Sequence, residues 1–184
     1  MKKLILISAL LLVASNGWAY NEMDLGRIKS LVTFKGPYDD ETVQQRDARM
    51  AWWREARFGL FIHWGVYAVP AGTYKGEQIP NIGEWIMHYA QIPVAEYQQY
   101  AKQFNPVKYD PEAWVRMAKD AGMKYIVITA KHHDGFALFD TAVSDWDIVE
   151  ATPYGKDVLK PLAEAAQKHG IKLGFYYSQA QDWH

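Results

Sequence analysis

The sequence predicts an α/β fold built around a parallel β-sheet, and three observations lead to this prediction. Short apolar runs of strand length alternate with longer segments of helical period, and polar, Gly- and Pro-containing segments separate them. The order strand, helix, strand, helix, strand is typical of parallel strands joined by right-handed crossovers. The predicted strands cover residues 58–64, 125–129 and 171–178.

The N-terminal 19 residues are typical of a secretory signal peptide. Lys2 and Lys3 precede an apolar run from Leu4 to Ala14, and small residues lead to a predicted cleavage site after Ala19. A membrane-spanning helix needs roughly 20 apolar residues, and neither this run nor any later one reaches that length. We therefore expect an exported protein with no membrane span.

Composition limits the partners and the location of the protein. The chain has 20 basic and 21 acidic residues, and loss of Lys2 and Lys3 with the signal peptide leaves a formal charge of −3. This balance without a basic patch predicts no nucleic-acid partner. The chain has no cysteine, so the exported domain depends on its core and not on disulfides. This combination favours a bacterial periplasm or cell surface over an animal secretory route.

The segments before the second strand are predicted in order. Residues 20–41 are mixed and polar and are predicted to lead into a domain that covers residues 42–184. The segment from Thr42 has helical period and predicts a helix of about four turns before the first buried strand. A long loop follows over residues 65–92, and its aromatic residues favour an ordered segment. Pro93 is predicted to open a helix that Asn105-Pro106 ends.

Capping residues define the two helices that connect the strands. Asp110 and Pro111 are an N-cap and a first-turn proline, and Gly122 ends that helix. Asp157 is the predicted cap of the second helix, which ends at Gly170. A complete eight-stranded barrel takes about 250 residues, whereas 184 residues less the 19 of the signal peptide leave 165. We therefore expect the N-terminal part of a larger catalytic domain, with a small open three-layer α/β domain as the competing interpretation.

Side chains that could carry chemistry follow the predicted strands, where the sites of α/β folds lie. The strongest group is Lys131-His132-His133-Asp134, directly after the second strand. Adjacent residues in extended backbone point to opposite sides, so His132 and His133 are a poor chelate for one metal. Neutral imidazoles instead suit hydrogen bonds to hydroxyl groups. Lys131 and Asp134 are interpreted either as part of a site or as a local ion pair.

Three further groups occupy similar positions. His63 lies near the end of the first strand, where a histidine packed in the core is the competing interpretation. Glu84 and Trp85 combine a hydrogen-bond acceptor with an aromatic ring, a pair that could bind the hydroxyl groups and the C–H face of a sugar. A glutamate at the N-terminus of a helix beside a packed tryptophan is an equally good interpretation. Tyr176 and Tyr177 end the third strand, and side-chain alternation turns only one of them towards a barrel mouth.

Four stretches within residues 45–184 occur together: WWREARFGLFIHWG, GEWIMHYA, FNPVKYDPEAWVRMAKDAGMKYIVITAKHHDGFALF and GFYYSQAQDW. They resemble the N-terminal half of the catalytic domain of the α-L-fucosidases of glycoside hydrolase family 29. The resemblance implies a (β/α)8-like TIM barrel, of which this chain supplies about the first three βα units. It also implies a retaining exo-α-L-fucosidase that acts on fucosylated oligosaccharides or glycoconjugates through a fucosyl-enzyme intermediate, without a metal or other cofactor.

The same resemblance implies which residues bind the substrate. The hydroxyls and ring of fucose are expected to be held by His63, Glu84, Trp85, His132, His133 and Tyr176. A retaining glycosidase needs two carboxyl groups about 5 Å apart, and in this family both follow the strand that ends in YYS. We therefore expect the nucleophile and the acid/base beyond His184, no catalytic carboxylate within the 184 residues, and no activity from this chain alone. No oligomeric state is predicted.

Two other classes of protein are compatible with the same residues. A non-catalytic fucose- or carbohydrate-binding protein would keep the binding side chains and lack the carboxylates. A metal-dependent barrel hydrolase would contain stoichiometric metal and would be inhibited by a chelator. An aspartate after a fourth buried strand would favour the fucosidase over the binding protein.

Overall fold

The structure, a computed structural model, describes residues 36–184, so the predicted signal peptide lies outside the described residues. Residue contacts divide the chain into two units, of which one ends at Arg49 and the other begins at Met50. In the first unit, the backbone N–H of Gln45 donates to Thr42 Oγ1 over 3.2 Å, and the N–H of Thr42 donates to Gln45 Oε1 over 2.8 Å. This reciprocal capping box explains why a helix begins here.

Helices and strands follow the predicted order, with shorter elements between them. The strands are β1 Gly59–Ile62, β2 Thr73–Tyr74, β3 Glu77–Gln78, β4 Tyr125–Lys131 and β5 Lys172–Tyr177. The α-helices are α1 Val43–Ala56, α2 Ile86–Tyr89, α3 Val94–Tyr97, α4 Pro111–Asp120 and α5 Leu159–His169. Segments of 3₁₀ helix cover Val66–Ala68, Gly83–Trp85 and Gln98–Gln103.

The three predicted strands form one parallel sheet in the order β1-β4-β5, which confirms the parallel α/β prediction. Ile62 of β1 lies beside Ile128 of β4, and Thr129 of β4 lies beside Tyr176 of β5. The central strand β4 is therefore hydrogen-bonded on both sides. Because the strands are parallel and in register, their C-terminal ends meet at one edge of the sheet.

The hydrophobic core lies between the sheet and the two connecting helices. Ile126 and Ile128 of β4 are fully buried in one cluster with Val115 of α4 and Leu162 of α5. Burial of each such aliphatic side chain contributes about 1.5–3 kcal/mol. The opposite face of the sheet is more open, since Phe61 of β1 is 48% exposed. The prediction that the first strand is buried is therefore wrong for this face, because none of the described helices packs over Phe61.

The predicted caps of the connecting helices are confirmed. Asp110 Oδ1 accepts a hydrogen bond of 2.9 Å from Ala113 N, and proline follows at the first helical position. Asp157 Oδ1 accepts from Leu159 N at 2.6 Å and from Lys160 N at 3.0 Å. These bonds satisfy N–H groups that the first turn of a helix leaves unpaired.

The segment between β1 and α4 differs from its prediction. Residues 65–92 contain a β2–β3 hairpin, two 3₁₀ turns and α2, so they are not a loop throughout. The single helix predicted from Pro93 is wrong, because α3 tightens into 3₁₀ helix after Tyr97. Such tightening is common where a helix ends. Tyr97, Ala101 and Phe104 of this segment are nevertheless buried, whereas Val94 is 38% exposed.

Candidate functional site

The residues singled out from the sequence all lie at the edge of the sheet where β1, β4 and β5 end. They are His63 just after β1, Glu84 and Trp85 in a 3₁₀ turn, His132 and His133 directly after β4, and Tyr176 near the end of β5. The chain thus brings four separate segments to one place.

Thr129 fixes the end of β1 against β4. Its Oγ1 donates to Trp64 O over 2.9 Å and accepts from Trp64 N over 3.0 Å. The hydroxyl of Tyr67 lies 3.2 Å from the same oxygen. These bonds set the backbone after His63, which explains why His63 faces the residues that follow β4.

The histidines and Tyr176 form a continuous group of rings. The ring centroids of His63 and His132 are 5.5 Å apart, and those of His132 and His133 are 4.2 Å apart. The Tyr176 ring lies 5.7 Å from that of His132. Tyr177 instead lies beside the amino group of Lys131, at 5.3 Å, so alternation turns only Tyr176 towards the histidines.

Glu84 and Trp85 complete this group from the other side. Glu84 Oε1 lies 3.9 Å from His63 Nε2, which is too long for a direct hydrogen bond. The Trp85 ring stands edge-on to His133 at 5.1 Å and to Trp183 at 5.2 Å. We call the six residues, His63, Glu84, Trp85, His132, His133 and Tyr176, the edge cluster.

His132 is the most enclosed histidine of the edge cluster. It is 4% exposed, and its Nδ1 is buried without a hydrogen-bond partner among residues 36–184. Burial lowers the pKa of His132 to about 4, and a proton on His133 or on His63 would act in the same direction. The ring is therefore neutral at physiological pH. An unpaired buried polar atom costs about 1–3 kcal/mol.

Asp134 anchors the chain that carries the two histidines. Its Oδ2 accepts a 2.8 Å hydrogen bond from the hydroxyl of Tyr97, and its Oδ1 accepts one of 3.2 Å from Phe136 N. Its backbone carbonyl accepts from Trp146 Nε1 at 2.9 Å. Burial raises the pKa of Asp134 to about 6, although the hydrogen bond from Tyr97 opposes the rise. The carboxyl group is therefore bonded to a buried hydroxyl and to a backbone N–H, and Asp134 is 1% exposed.

Residues after β5 complete the surroundings of the histidines. Lys131 forms an ion pair with Asp182, with 2.6 Å between Nζ and Oδ2. The local ion pair of Lys131 with Asp134, which was one interpretation of the sequence, is therefore not the pair that forms. A Cβ on Gly135, whose φ is +75°, would lie 2.7 Å from Asp182 Oδ1, and this close approach requires glycine. Trp183 N donates to His133 O over 2.8 Å.

Sequence reasoning missed the residues that support the edge cluster. Ser178 lies 2.8 Å from His133 Nδ1, whereas the sequence pattern marks it only as the end of the third strand. Trp183 is the last residue of the stretch GFYYSQAQDW, and its place in that stretch is the sequence feature that could have indicated it. Tyr97 stands out in the sequence only as an apolar position of a helix.

Neither a metal centre nor a membrane span is formed by the part of the chain that the structure describes. Within residues 36–184, no three His, Asp or Glu side chains are grouped so that they could hold a metal ion. No helix in this range is both long and apolar enough to cross a bilayer.

Comparisons with known proteins agree with the resemblance. The family model described as Alpha-L-fucosidase matches residues 29–184. Tissue α-L-fucosidase of Rattus norvegicus is 38% identical over 141 residues, which cover 72% of this chain and 30% of that protein. Plasma α-L-fucosidase of Homo sapiens is 33% identical over 156 residues, which cover 79% of this chain and 33% of that protein.

Solved structures are also similar. α-L-Fucosidase AlfC from Lactobacillus casei, in complex with its α-L-fucose product, has a TM-score of 0.72 at 47% identity. That match covers 73% of this chain and 42% of the Lactobacillus chain. The chain spans about a third of the length of the curated relatives that it matches. From the family match and these identities, the chain belongs to the α-L-fucosidase family of glycoside hydrolases.

Proposed function

We propose that the complete protein carrying this chain is a retaining exo-α-L-fucosidase. It hydrolyses terminal α-L-fucose from glycoconjugates or oligosaccharides through a fucosyl-enzyme intermediate. The observation that carries the proposal is that the edge cluster gathers six hydrogen-bonding or aromatic side chains from four segments at one end of a parallel sheet. The Lactobacillus relative has been solved with α-L-fucose, and a variant of it with Fucα(1,6)GlcNAc, which supports fucosylated saccharides as the substrate class.

The chemistry of the edge cluster suits a deoxyhexose. Fucose offers hydroxyl groups along its edge and a C–H face, so its binding requires both hydrogen-bonding groups and an aromatic surface. His63 and His132 supply imidazole nitrogens, which in the neutral ring include one donor and one acceptor. Glu84 supplies an acceptor, and Trp85 and Tyr176 supply aromatic faces against which the C–H groups pack.

The fold part of the proposal is that residues 42–184 are the N-terminal portion of a (β/α)8 barrel. Each parallel strand pairs with the parallel strand that precedes it in the chain, in the order β1-β4-β5. A doubly wound sheet reverses its strand order at the ligand site, whereas a barrel adds strands in one direction. The half-exposed face that includes Phe61 would then line the barrel interior.

The proposed nucleophile and acid/base lie beyond His184. Retaining glycosidases need two carboxyl groups about 5 Å apart beside the scissile bond. Asp134 is enclosed and bonded to Tyr97, and Asp182 is ion-paired with Lys131, so neither carboxyl group is free to attack a sugar carbon. On this proposal the 184-residue chain alone is inactive.

The location part of the proposal is export to a bacterial periplasm or to the outside of the cell. It rests on the signal-peptide pattern of residues 1–19 and on the lack of cysteine. Protease accessibility of the protein in intact cells and in spheroplasts tests this part separately. Recovery of the protein in the cytoplasm with residues 1–19 still attached would contradict it.

The test of the activity is hydrolysis of an aryl α-L-fucoside by the complete product of the open reading frame and, in parallel, by the 184-residue chain. We expect chromophore release from the complete product only. Activity of the short chain would show that a carboxyl group within it is the nucleophile and would refute this part of the proposal.

Substitution of His132 tests the site. We expect His132→Ala to lower kcat/KM of the complete product by about 30- to 1000-fold, or about 2–4 kcal/mol. His169→Ala is the matched control, because His169 bonds to Glu112 away from the edge cluster. An unchanged kcat/KM in His132→Ala would refute the site assignment.

A second candidate is a non-catalytic fucose-binding protein. One observation favours binding without hydrolysis: the carboxyl groups of Asp134 and Asp182 are engaged by Tyr97 and Lys131. Fucose binding to the complete product in calorimetry, with no hydrolysis of aryl or natural fucosides, would establish this candidate instead.

A further inference from the structure

We infer that Ser178 is a positioning residue that holds His133 in the tautomer with its proton on Nδ1, so that Nε2 is offered to a ligand as a hydrogen-bond acceptor. The inference deepens the proposed function, on which the identity of the ligand rests. The tautomer itself follows from the hydrogen bonds of Ser178.

The hydroxyl of Ser178 has one proton, and the structure determines where that proton goes. Ser178 Oγ donates to the backbone carbonyl of Gln181 over 2.6 Å. A carbonyl oxygen only accepts hydrogen bonds. The 2.8 Å contact between Ser178 Oγ and His133 Nδ1 must therefore have the imidazole as its donor. The ring proton thus lies on Nδ1.

The position of this hydroxyl is fixed from several directions. Ser178 is 4% exposed, and its backbone N–H donates to Lys131 O over 2.9 Å at the end of β4. Gln181 lies three residues after Ser178, and Trp183 of the same segment donates its N–H to His133 O over 2.8 Å. The segment after β5 therefore holds both the backbone and the ring of His133.

The choice of tautomer matters because His133 is neutral. Burial lowers its pKa, and the positive charge of Lys131 lowers it further. A neutral imidazole has one N–H and one bare nitrogen. Within residues 36–184 the ring forms no hydrogen bond other than that to Ser178, and Nε2 is not among the enclosed atoms. Nε2 therefore accepts from a hydroxyl group of a bound sugar and cannot donate to one.

The test measures the tautomer and the activity separately. The complete product is labelled with ¹⁵N in histidine, and the His133 signal is identified by its loss in His133→Asn. The two ring nitrogens of a neutral imidazole resonate in separate ¹⁵N regions, according to which of them carries the proton. We expect a protonated Nδ1 and a bare Nε2 in the unsubstituted protein, and a mixture of tautomers in Ser178→Ala. Ser178→Thr, which keeps the hydroxyl, should restore the first pattern.

Kinetics on an aryl α-L-fucoside provide the second readout. We expect Ser178→Ala to lower kcat/KM about 5-fold, mostly through KM, as loss of one net hydrogen bond predicts. Ser178→Thr should recover most of this loss. Ser144→Ala is the matched control, because the exposed Ser144 only accepts a bond from Trp146 N outside the edge cluster.

The outcomes separate this inference from the proposed function. A proton on Nε2 in the unsubstituted protein, or the same ¹⁵N pattern in Ser178→Ala, would overturn the inference. If Ser178→Ala does not fold, the unsubstituted protein and Ser178→Thr still decide the tautomer. Absence of fucoside hydrolysis would overturn the proposed activity and would leave the measured tautomer unaffected.

Discussion

Replacement of Tyr97 by Phe should destabilise the protein increasingly as the pH rises. The Tyr97 hydroxyl donates to Asp134 Oδ2 over 2.8 Å, and the two residues are 0% and 1% exposed. Burial raises the pKa of Asp134 from 3.8 to about 6. A raised pKa in the folded state means that the protonated carboxyl group favours folding below about pH 4. This contribution is lost as the pH rises through about 6, where the buried group ionises.

The magnitude follows from that shift. One pH unit of pKa corresponds to about 1.4 kcal/mol, so ionised Asp134 destabilises the folded state by about 3 kcal/mol above pH 6. Loss of the Tyr97 hydroxyl raises the pKa of Asp134 further, but proton uptake limits the added cost to about 1 kcal/mol at pH 7 and about 3 kcal/mol at pH 8. At pH 5 the carboxyl group is already largely protonated, and only a neutral hydrogen bond of about 0.5–1 kcal/mol is lost.

Urea unfolding of the complete product at pH 5, 7 and 8 measures these costs, provided that the m-value is unchanged. Tyr100→Phe is the matched control, since it removes a hydroxyl three residues further along, in the 3₁₀ segment that follows α3, and should cost less than about 0.5 kcal/mol at every pH. A cost of Tyr97→Phe that is equal at pH 5 and pH 8 would refute the argument that this hydroxyl stabilises an ionised carboxylate.

Two further predictions test packing and charge. Gly59→Ala would drive a Cβ into the Tyr125 ring, whereas the Cβ in Gly174→Ala would meet its nearest atom at 3.5 Å. The first should therefore cost about 1–3 kcal/mol in urea unfolding and the second less than about 1 kcal/mol, and equal midpoints would contradict the packing described. Lys131→Met removes a positive charge that lowers the pKa of His133, so that pKa should rise in an NMR titration. An unchanged or lower value would show that the charge of Lys131 does not act on this ring.

The parts of the fold that were predicted correctly depend on local patterns. The strands are visible as apolar runs, and Asp110 is a cap because its carboxylate reaches an N–H three residues away. The edge cluster was predictable for a related reason. Parallel strands bring their C-terminal ends to one edge, so residues such as His63 and His132 meet even though a long stretch of sequence separates them.

The supporting contacts could not be predicted in this way. Tyr97 and Asp134 are 37 residues apart, and nothing in a helical pattern indicates that one of its apolar positions donates a hydrogen bond. Lys131 had a nearby carboxylate in the sequence, yet it pairs with Asp182, which is 51 residues away. The Lys131–Asp182 pair depends on the path of the chain after β5, which no periodic pattern in the sequence indicates.

The pairing of β4 on both sides has a consequence for the entropy of binding. His132 and His133 continue directly from this central strand, and Thr129, Ser178 and Trp183 hold the backbone around them. Side chains that are ordered before a ligand arrives lose little conformational freedom when it binds. On the proposed function, a small sugar with few hydroxyl groups would therefore be bound through hydrogen-bonding groups that are already in place at these two histidines.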